Sequence, residues 1–109
     1  MTTREALERR LVGAEAEAAD LERDLASVFE ASRSSNADDE HDPEGATIAF
    51  ERAQLTATLA ATRQRAAELR AALIRYDEGG YGICERCGKP IPAARLEIRP
   101  DARTCVSCV

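Results

Sequence analysis

Residues 7–28, LERRLVGAEAEAADLERDLASV, repeat apolar side chains at alternating spacings of four and three. The apolar positions are Leu7, Leu11, Ala14, Ala18, Leu21, Leu25 and Val28. Such spacing forms the contact seam of a coiled coil. Just upstream, Thr2 and Glu5 offer a capping box, in which each side chain accepts a hydrogen bond from the other residue's backbone N–H. The stretch predicts a long helix that must pack along one side against a partner.

A second stretch carries the same repeat. Its seam positions are Ile48, Arg52, Leu55, Leu59, Thr62, Ala66, Leu69, Leu73 and Tyr76. Arg52 and Thr62 interrupt the seam, and Arg52 either pairs with Glu30 or Glu51 or extends outward. The two stretches predict an antiparallel hairpin within one chain, and therefore a monomer. Pairing between chains, in a dimer or a four-helix bundle, is the alternative.

The segment between the stretches, ASRSSNADDEHDPEGA at residues 31–46, has no helical periodicity. Its Ser, Asn, Asp, Pro and Gly content predicts that the first helix ends near residues 32–35. Asp42 followed by Pro43 predicts the start of the second helix, because Asp caps free N–H groups and Pro fits the first turn. We therefore expect a tip loop at about residues 33–46.

Negative charge is concentrated around this loop. Residues 30–44 hold six acidic residues against Arg33, a net charge of −5 that equals that of the whole chain. This concentration argues against phosphate binding there and favours a basic or metal-containing partner. We interpret His41, within the acidic run, as exposed rather than as a metal ligand. Phe29 and Phe50 flank the loop, and we expect them to pack across the two helix ends.

Four cysteines near the end of the sequence form the pattern C-x2-C-x17-C-x2-C, at Cys84, Cys87, Cys105 and Cys108. Each C-x-x-C turn supplies two thiolates to a tetrahedral zinc ion, and Gly88 suits the tight backbone turn. The N-terminus lacks the apolar segment of a signal peptide and no stretch of 18 apolar residues exists, which predicts a cytoplasmic protein with no membrane contact. Paired cysteines in that compartment favour a metal over disulfides. One structural zinc is predicted, and an iron–sulfur cluster is the alternative.

The cysteine module is too short to build a core of its own, so the metal must supply its folding energy. Gly79-Gly80 is predicted to end the second helix before it. We expect packing around the metal by apolar residues, namely Tyr81, Ile83, Ile91, Leu96 and Ile98. Four thiolates close the zinc shell, and no nucleophile, base and open site converge, so the sequence does not predict an enzyme.

The amino-acid composition agrees with long paired helices followed by a small metal-binding module. The chain has 21 alanines but only two Phe, two Tyr and no Trp, which suits helices packed in pairs better than a filled globular core. The predicted fold is mainly α: a long antiparallel coiled-coil hairpin over residues 1–78, followed by a small four-cysteine zinc-finger module over residues 79–109.

Residues 76–108, YDEGGYGICERCGKPIPAARLEIRPDARTCVSC, resemble the C4 zinc-finger signature of the DksA/TraR family of bacterial transcription regulators. The matching features are the Tyr-Gly before Cys84, C-x-x-C-G, the Ile three residues later, Arg95-Leu96-Glu97, Arg99-Pro100 and the final C-x-x-C. The resemblance implies a protein that binds RNA polymerase, with no sequence-specific binding to DNA. Members of that family insert their coiled coil into the secondary channel of the polymerase, which brings an acidic tip near the catalytic magnesium and changes promoter-complex stability.

The resemblance also implies roles for single residues. Family members carry Asp-Pro-x-Asp-x-Ala at the tip, and this chain has Asp42-Pro43-Glu44-Gly45-Ala46-Thr47, so Asp42 carries over and Glu44 or Asp39 could replace the second acid. Arg95 and Arg99 are implied in contacts with the channel rim or with the alarmone guanosine tetraphosphate. The helix position where relatives have an alarmone-contacting lysine holds Glu68, so we expect a weak alarmone response.

Two other classes of function fit parts of the sequence. A nucleic-acid-binding zinc module would use the basic residues of the finger, Arg86, Lys89, Arg95, Arg99 and Arg103. Those charges are offset by Glu85, Glu97, Asp101 and the thiolates, which leaves the finger near neutral and disfavours strong phosphate binding. A coiled-coil adaptor without polymerase activity is the other alternative.

Overall fold

The computed structural model describes residues 2–34 and 43–109, apart from the side chains of Ser32, Ser34, Pro43 and Glu44. Helix α1 spans Thr3–Ser34, α2 spans Pro43–Glu78 and α3 spans Ala93–Ile98, and a 3₁₀ turn covers Val106–Cys108. The described residues form no strand, and one isolated bridge joins Ile83 to Pro90. The predicted fold class, a helical hairpin followed by a four-cysteine finger, is confirmed.

The start of α1 has the predicted capping box. The N–H of Glu5 donates to Thr2 Oγ1 at 3.1 Å, and the N–H of Thr2 donates to Glu5 Oε2 at 3.4 Å. Two backbone donors that a helix start leaves unpaired are thereby satisfied. The helix ends at Ser34, within the predicted range, and α2 begins at Pro43 as predicted. The proposed cap at Asp42 lies outside the described residues.

Helix α2 ends in a Schellman motif built on the predicted glycine pair. The N–H of Gly80 donates to the carbonyl of Arg75 at 2.8 Å, and the N–H of Gly79 donates to that of Tyr76 at 3.2 Å. Gly79 has a φ of 87°, in the left-handed region that glycine adopts without a steric cost. The chain can therefore leave the helix at this point and enter the finger.

The chain has two compact units. The first comprises Met1–Gly13 and Arg65–Val109 and holds the start of α1, the end of α2 and the finger. Within it, Arg4 donates two hydrogen bonds to the Asp77 carboxylate, at 2.9 and 3.1 Å, so the two helices run antiparallel there. Leu7, Leu69 and Ala72 are buried between them. The predicted boundary after residue 78 is not tested by this division and stays a prediction.

The second unit, Ala14–Gln64, holds the rest of α1 and the first part of α2. Arg63 contacts Glu22 at 2.8 Å and the Arg52 guanidinium lies 5.6 Å from the centre of the Phe29 ring, so the helices are antiparallel here as well. The buried side chains of this unit lie at predicted seam positions, which are Ala14, Ala18, Val28, Leu59 and Thr62. Pairing of the helices within one chain is thereby the arrangement observed.

The expectation about Phe29 and Phe50 was wrong, because they expose 47% and 66% of their surfaces instead of packing across the helix ends. Of the alternatives for Arg52, neither ion pair is observed. Its exposed side chain lies over the Phe29 ring, where the ring face attracts its charge. Within the described residues, neither long helix is apolar over enough length to span a membrane.

Candidate metal centre

The first cysteine turn is shaped by backbone hydrogen bonds. The N–H of Gly88 donates to the carbonyl of Cys84 at 2.9 Å, and the N–H of Cys84 donates to the carbonyl of Lys89 at 2.8 Å. Gly88 takes the left-handed φ of 73° that this turn requires, as its position in the sequence predicted. The backbone therefore curls around the side chains of Cys84 and Cys87.

The second cysteine turn is a short 3₁₀ turn packed against the first. The N–H of Cys108 donates to the carbonyl of Cys105 at 3.1 Å, which brings these two side chains to one side. The N–H of Glu85 donates to the carbonyl of Arg103 at 2.9 Å and thereby connects the two turns. Two cysteine pairs that are well separated in the sequence thus come together in space.

The four sulfur atoms form one cluster. All four Sγ atoms lie within 4.8 Å of one another, and those of Cys87 and Cys105 are 3.7 Å apart. A tetrahedral zinc ion with Zn–S distances of about 2.3 Å places its sulfurs about 3.8 Å apart, so the cluster matches the size of a zinc site. Cys84 is 1% exposed, whereas Cys87 is open to solvent.

Electrostatics within the cluster also favour a bound cation. Backbone N–H groups, chiefly of Cys87 and then of Cys105, lower the pKa of the Cys84 thiol to about 6. Hydrogen bonds with Cys105 and Cys84 raise the pKa of Cys108 to about 12. The backbone N–H donors stabilise the negative charge of the Cys84 thiolate. Ionising Cys108 beside it would add a second negative charge, which these donors do not stabilise. A divalent cation supplies the missing positive charge and allows all four thiols to ionise.

Side chains hold the segment after the first turn against the end of α2. The hydroxyl of Tyr81 donates to the carbonyl of Pro100 at 2.8 Å, and burial raises the pKa of this tyrosine. Tyr81 also contacts the Tyr76 ring edge to face, with ring centres 5.7 Å apart. Arg75 Nη2 donates to the carbonyl of Asp101 at 3.3 Å. Except for the expected packing of Tyr81, sequence reasoning missed these contacts, because side chain to carbonyl bonds leave no pattern in the sequence.

The expected apolar packing around the metal is only partly observed. Ile91 is buried at 5% exposure, and Leu96 and Tyr81 are half-buried. Ile83 and Ile98 were expected to join them, but they expose 43% and 78% of their surfaces. Helix α3 has only six residues, none of them buried, and Ile98 lies at its end. The prediction for these two isoleucines was wrong.

The predicted contact residues have different surroundings. Arg95 Nε donates to the carbonyl of Thr104 at 2.9 Å, so this side chain supports the finger itself. Arg99 Nη2 lies 3.7 Å from Asp101 and 3.9 Å from Glu68. Asp39 and Asp42 lie outside the described residues, as does His41, and the side chain of Glu44 is not described.

Comparison with known proteins identifies the finger. The model of the prokaryotic dksA/traR C4-type zinc finger matches residues 79–108. Residues 79–108 therefore form a finger of the DksA/TraR C4 type. One structural zinc ion is accordingly its cofactor, and the predictions of the family and of zinc are confirmed.

Several known proteins are similar to this chain. The chain is 58% identical over 31 residues to the RNA polymerase-binding transcription factor DksA of Caulobacter vibrioides, over 28% of this chain and 22% of the relative. It is 35% identical over 72 residues to general stress protein 16O of Bacillus subtilis, over 66% of this chain and 44% of that protein. The matches therefore span under half the length of these curated relatives.

A solved structure has the same fold as this chain. The transcription factor DksA2 from Pseudomonas aeruginosa aligns with a TM-score of 0.81, over 97% of this chain and 76% of that one, at 24% sequence identity. At this level of identity the likeness establishes the fold. The likeness in sequence to the DksA/TraR family lies in the finger.

Proposed function

We propose that the protein is an RNA polymerase-binding transcription factor that modulates the stability of promoter complexes. The finger contacts the rim of the secondary channel, and the hairpin inserts its tip, where Asp42 acts with Asp39 and Glu44 near the active site. The observation that carries the proposal is the finger, because its 58% identical relative is named for binding RNA polymerase. Arg95 and Arg99 are the proposed rim residues.

The zinc ion supports this function without performing chemistry. We assign Cys84, Cys87, Cys105 and Cys108 as its four ligands, on the basis of their 4.8 Å cluster. Four thiolates complete a tetrahedral shell and leave no position for a reactive water. The proposed role of the metal is to fold the finger so that the rim residues are presented in a fixed arrangement, and the protein is not an enzyme.

Charge supports insertion into a channel that holds metal ions and basic side chains. Residues 14–64 carry 12 acidic residues and four arginines, a formal charge of −8. The remaining residues, 1–13 and 65–109, carry 8 acidic and 11 basic residues, a formal charge of +3. A strongly negative segment is attracted to positive surfaces and repelled by nucleic acid. This charge supports action on polymerase rather than on DNA, and a cytoplasmic location and a monomeric state are part of the proposal.

The response to guanosine tetraphosphate is proposed to be weak. Arg99 is suited to a phosphate contact, but the Glu68 carboxylate lies 3.9 Å from its guanidinium and Asp101 lies 3.7 Å away. Both carboxylates compete with phosphate for the cation and repel the alarmone. Replacing Glu68 by lysine removes one competitor and adds a positive charge.

Binding to purified bacterial RNA polymerase tests the proposal. The full-length protein is expected to bind, and a variant without residues 30–46 is expected to lose binding or activity. The Asp42→Asn/Glu44→Gln double variant should bind but leave open-complex lifetime unchanged. Asp20→Asn/Glu22→Gln removes the same charge from α1, outside residues 30–46, and serves as its control. If the Asp42 double variant altered open-complex lifetime as the parent does, the tip mechanism would be wrong.

A further inference from the structure

An open groove lies between α1 and α2 within the unit Ala14–Gln64. Its volume is about 350 Å³, large enough to admit a long side chain. Three of its lining side chains are apolar and at least half-buried, and we call them its floor: Val28, Ile48 and Leu55. The other lining residues are exposed: Ser27, Ala31 and two carboxylates, Asp24 and Glu51, which we call its rim.

The two rim carboxylates have no cation beside them among the residues that the structure describes. Arg23 is adjacent to Asp24 in sequence, but it pairs with Asp20. Arg52 is adjacent to Glu51, but its guanidinium lies over the Phe29 ring at 5.6 Å. The cations closest in sequence are thus held elsewhere.

The other arginines of this unit are also engaged away from the groove. Arg33 pairs with Glu30 at 3.0 Å, and Arg63 pairs with Glu22 at 2.8 Å. These two, with Arg23 and Arg52, are all the arginines of residues 14–64, and the segment contains no lysine. The groove therefore keeps its negative potential unneutralised by its own unit.

An apolar floor with two carboxylates at the rim is suited to an arginine side chain. Arginine has an aliphatic stem that covers apolar surface and a planar guanidinium that donates to carboxylates in pairs. Its guanidinium is more weakly hydrated than the lysine ammonium, so moving it into a partly apolar groove costs less. We infer that this groove receives an arginine side chain of the partner protein. That the partner is RNA polymerase rests on the proposed function.

A small probe tests the groove without polymerase. N-acetyl-arginine amide, added to the zinc-loaded full chain, should shift the backbone NMR signals of Val28, Ile48 and Leu55 in a saturable way. The Asp24→Asn/Glu51→Gln variant should lose these shifts, and the control Glu78→Gln/Glu85→Gln, which removes equal charge at exposed positions outside residues 14–64, should keep them. N-acetyl-lysine amide should bind more weakly. Shifts that are absent, or that persist in the groove variant, would overturn the inference.

A second variant fills the groove from within the chain. Ala31→Arg places a guanidinium at the groove on an exposed helical position, and Ala26→Arg adds the same charge at an exposed position outside it. Polymerase affinity is expected to fall about tenfold or more for Ala31→Arg and for the Asp24→Asn/Glu51→Gln variant, with Ala26→Arg close to the parent. Equal affinity of the Ala31 and Ala26 variants would refute the groove as a polymerase contact.

The two experiments separate this inference from the proposed function. If the parent chain binds the arginine probe in the groove but does not bind polymerase, the proposed function fails and the chemistry of the groove stands. If the parent binds polymerase and the groove variants bind equally well, the inference fails and the proposed function stands.

Discussion

At the scale of single residues, Thr62 is a polar side chain at a seam position where the helical repeat calls for an apolar one. It is fully buried, and its Oγ1 has no hydrogen-bond partner within the described chain. Thr56 and Thr58, on the exposed side of the same helix, donate to the carbonyls of Arg52 and Gln54. A buried hydroxyl without a partner has lost its hydrogen bonds to water and gained none in the fold.

Thr62→Val should therefore stabilise the protein. Valine has nearly the same shape and replaces the unpaired hydroxyl by a methyl group, so we expect the free energy of unfolding to rise by about 1 kcal/mol. Urea denaturation followed by circular dichroism measures it. Thr58→Val, at an exposed position, is the control and should change stability by less than about 0.5 kcal/mol. A destabilised Thr62→Val variant would show that the hydroxyl is satisfied in solution.

A second prediction at this scale concerns the pKa of Asp77. Its two hydrogen bonds from Arg4 lower its pKa below the ordinary value of 3.8. The stabilisation from this pair is fully present above the ordinary pKa and is lost as the pH falls through the lowered value. An NMR titration of the Asp77 carboxyl should give a pKa below 3.8 in the parent, returning toward 3.8 in Arg4→Gln. An unchanged titration in that variant would contradict the pairing.

At the scale of elements, the ends of the long helices were easier to predict than their surface contacts. The capping box of α1 and the glycine end of α2 are local arrangements, so neighbouring residues suffice to specify them. The positions of Phe29, Phe50 and Arg52 depend on which rotamers the opposite helix permits. The sequence repeat gave no information about those rotamers.

The end of α2 can be tested with a matched pair of glycine substitutions. Gly79 has a positive φ of 87° and Gly80 does not, and an added Cβ would meet no atom within 4 Å at either position. Gly79→Ala is expected to cost about 1 kcal/mol of stability because alanine is strained at that φ, whereas Gly80→Ala should be close to neutral. Thermal unfolding of the two variants measures the difference. Equal effects would exclude the left-handed conformation as the cause.

At the scale of the whole molecule, two different sources of stability are combined in one chain. The long helices bury a seam of Leu and Ala, whereas the finger is too short for such a core and depends on its metal. The formal charge also differs along the chain, since it is −8 on residues 14–64 and +3 on the remaining residues, which include the finger. Removal of the metal should therefore affect one part of the chain much more than the other.

Chelation of zinc should disorder residues 79–109 while most helical circular dichroism persists, because α1 and α2 contain 32 and 36 residues and α3 only six. NMR amide dispersion and metal analysis, with one zinc per chain expected, measure this. Cys105→Ser should lose zinc affinity, and Ser107→Ala, an exposed position between two ligands, should retain it. A finger that stays ordered without metal would refute the structural role of zinc.

The sequence by itself determined the two long helices, their seam, the capping box of α1, the glycine end of α2 and the four cysteines, because periodic or local patterns of neighbouring residues specify each of them. It could not determine that Ile98 faces solvent, that Arg95 supports its own finger, or that Arg23 and Arg52 turn away from Asp24 and Glu51. Each of these outcomes depends on contacts between residues that are distant in sequence. Each arginine pairs with a group that its side-chain rotamer allows it to reach. Only the tertiary structure therefore revealed an acidic groove that the described arginines of residues 14–64 leave open.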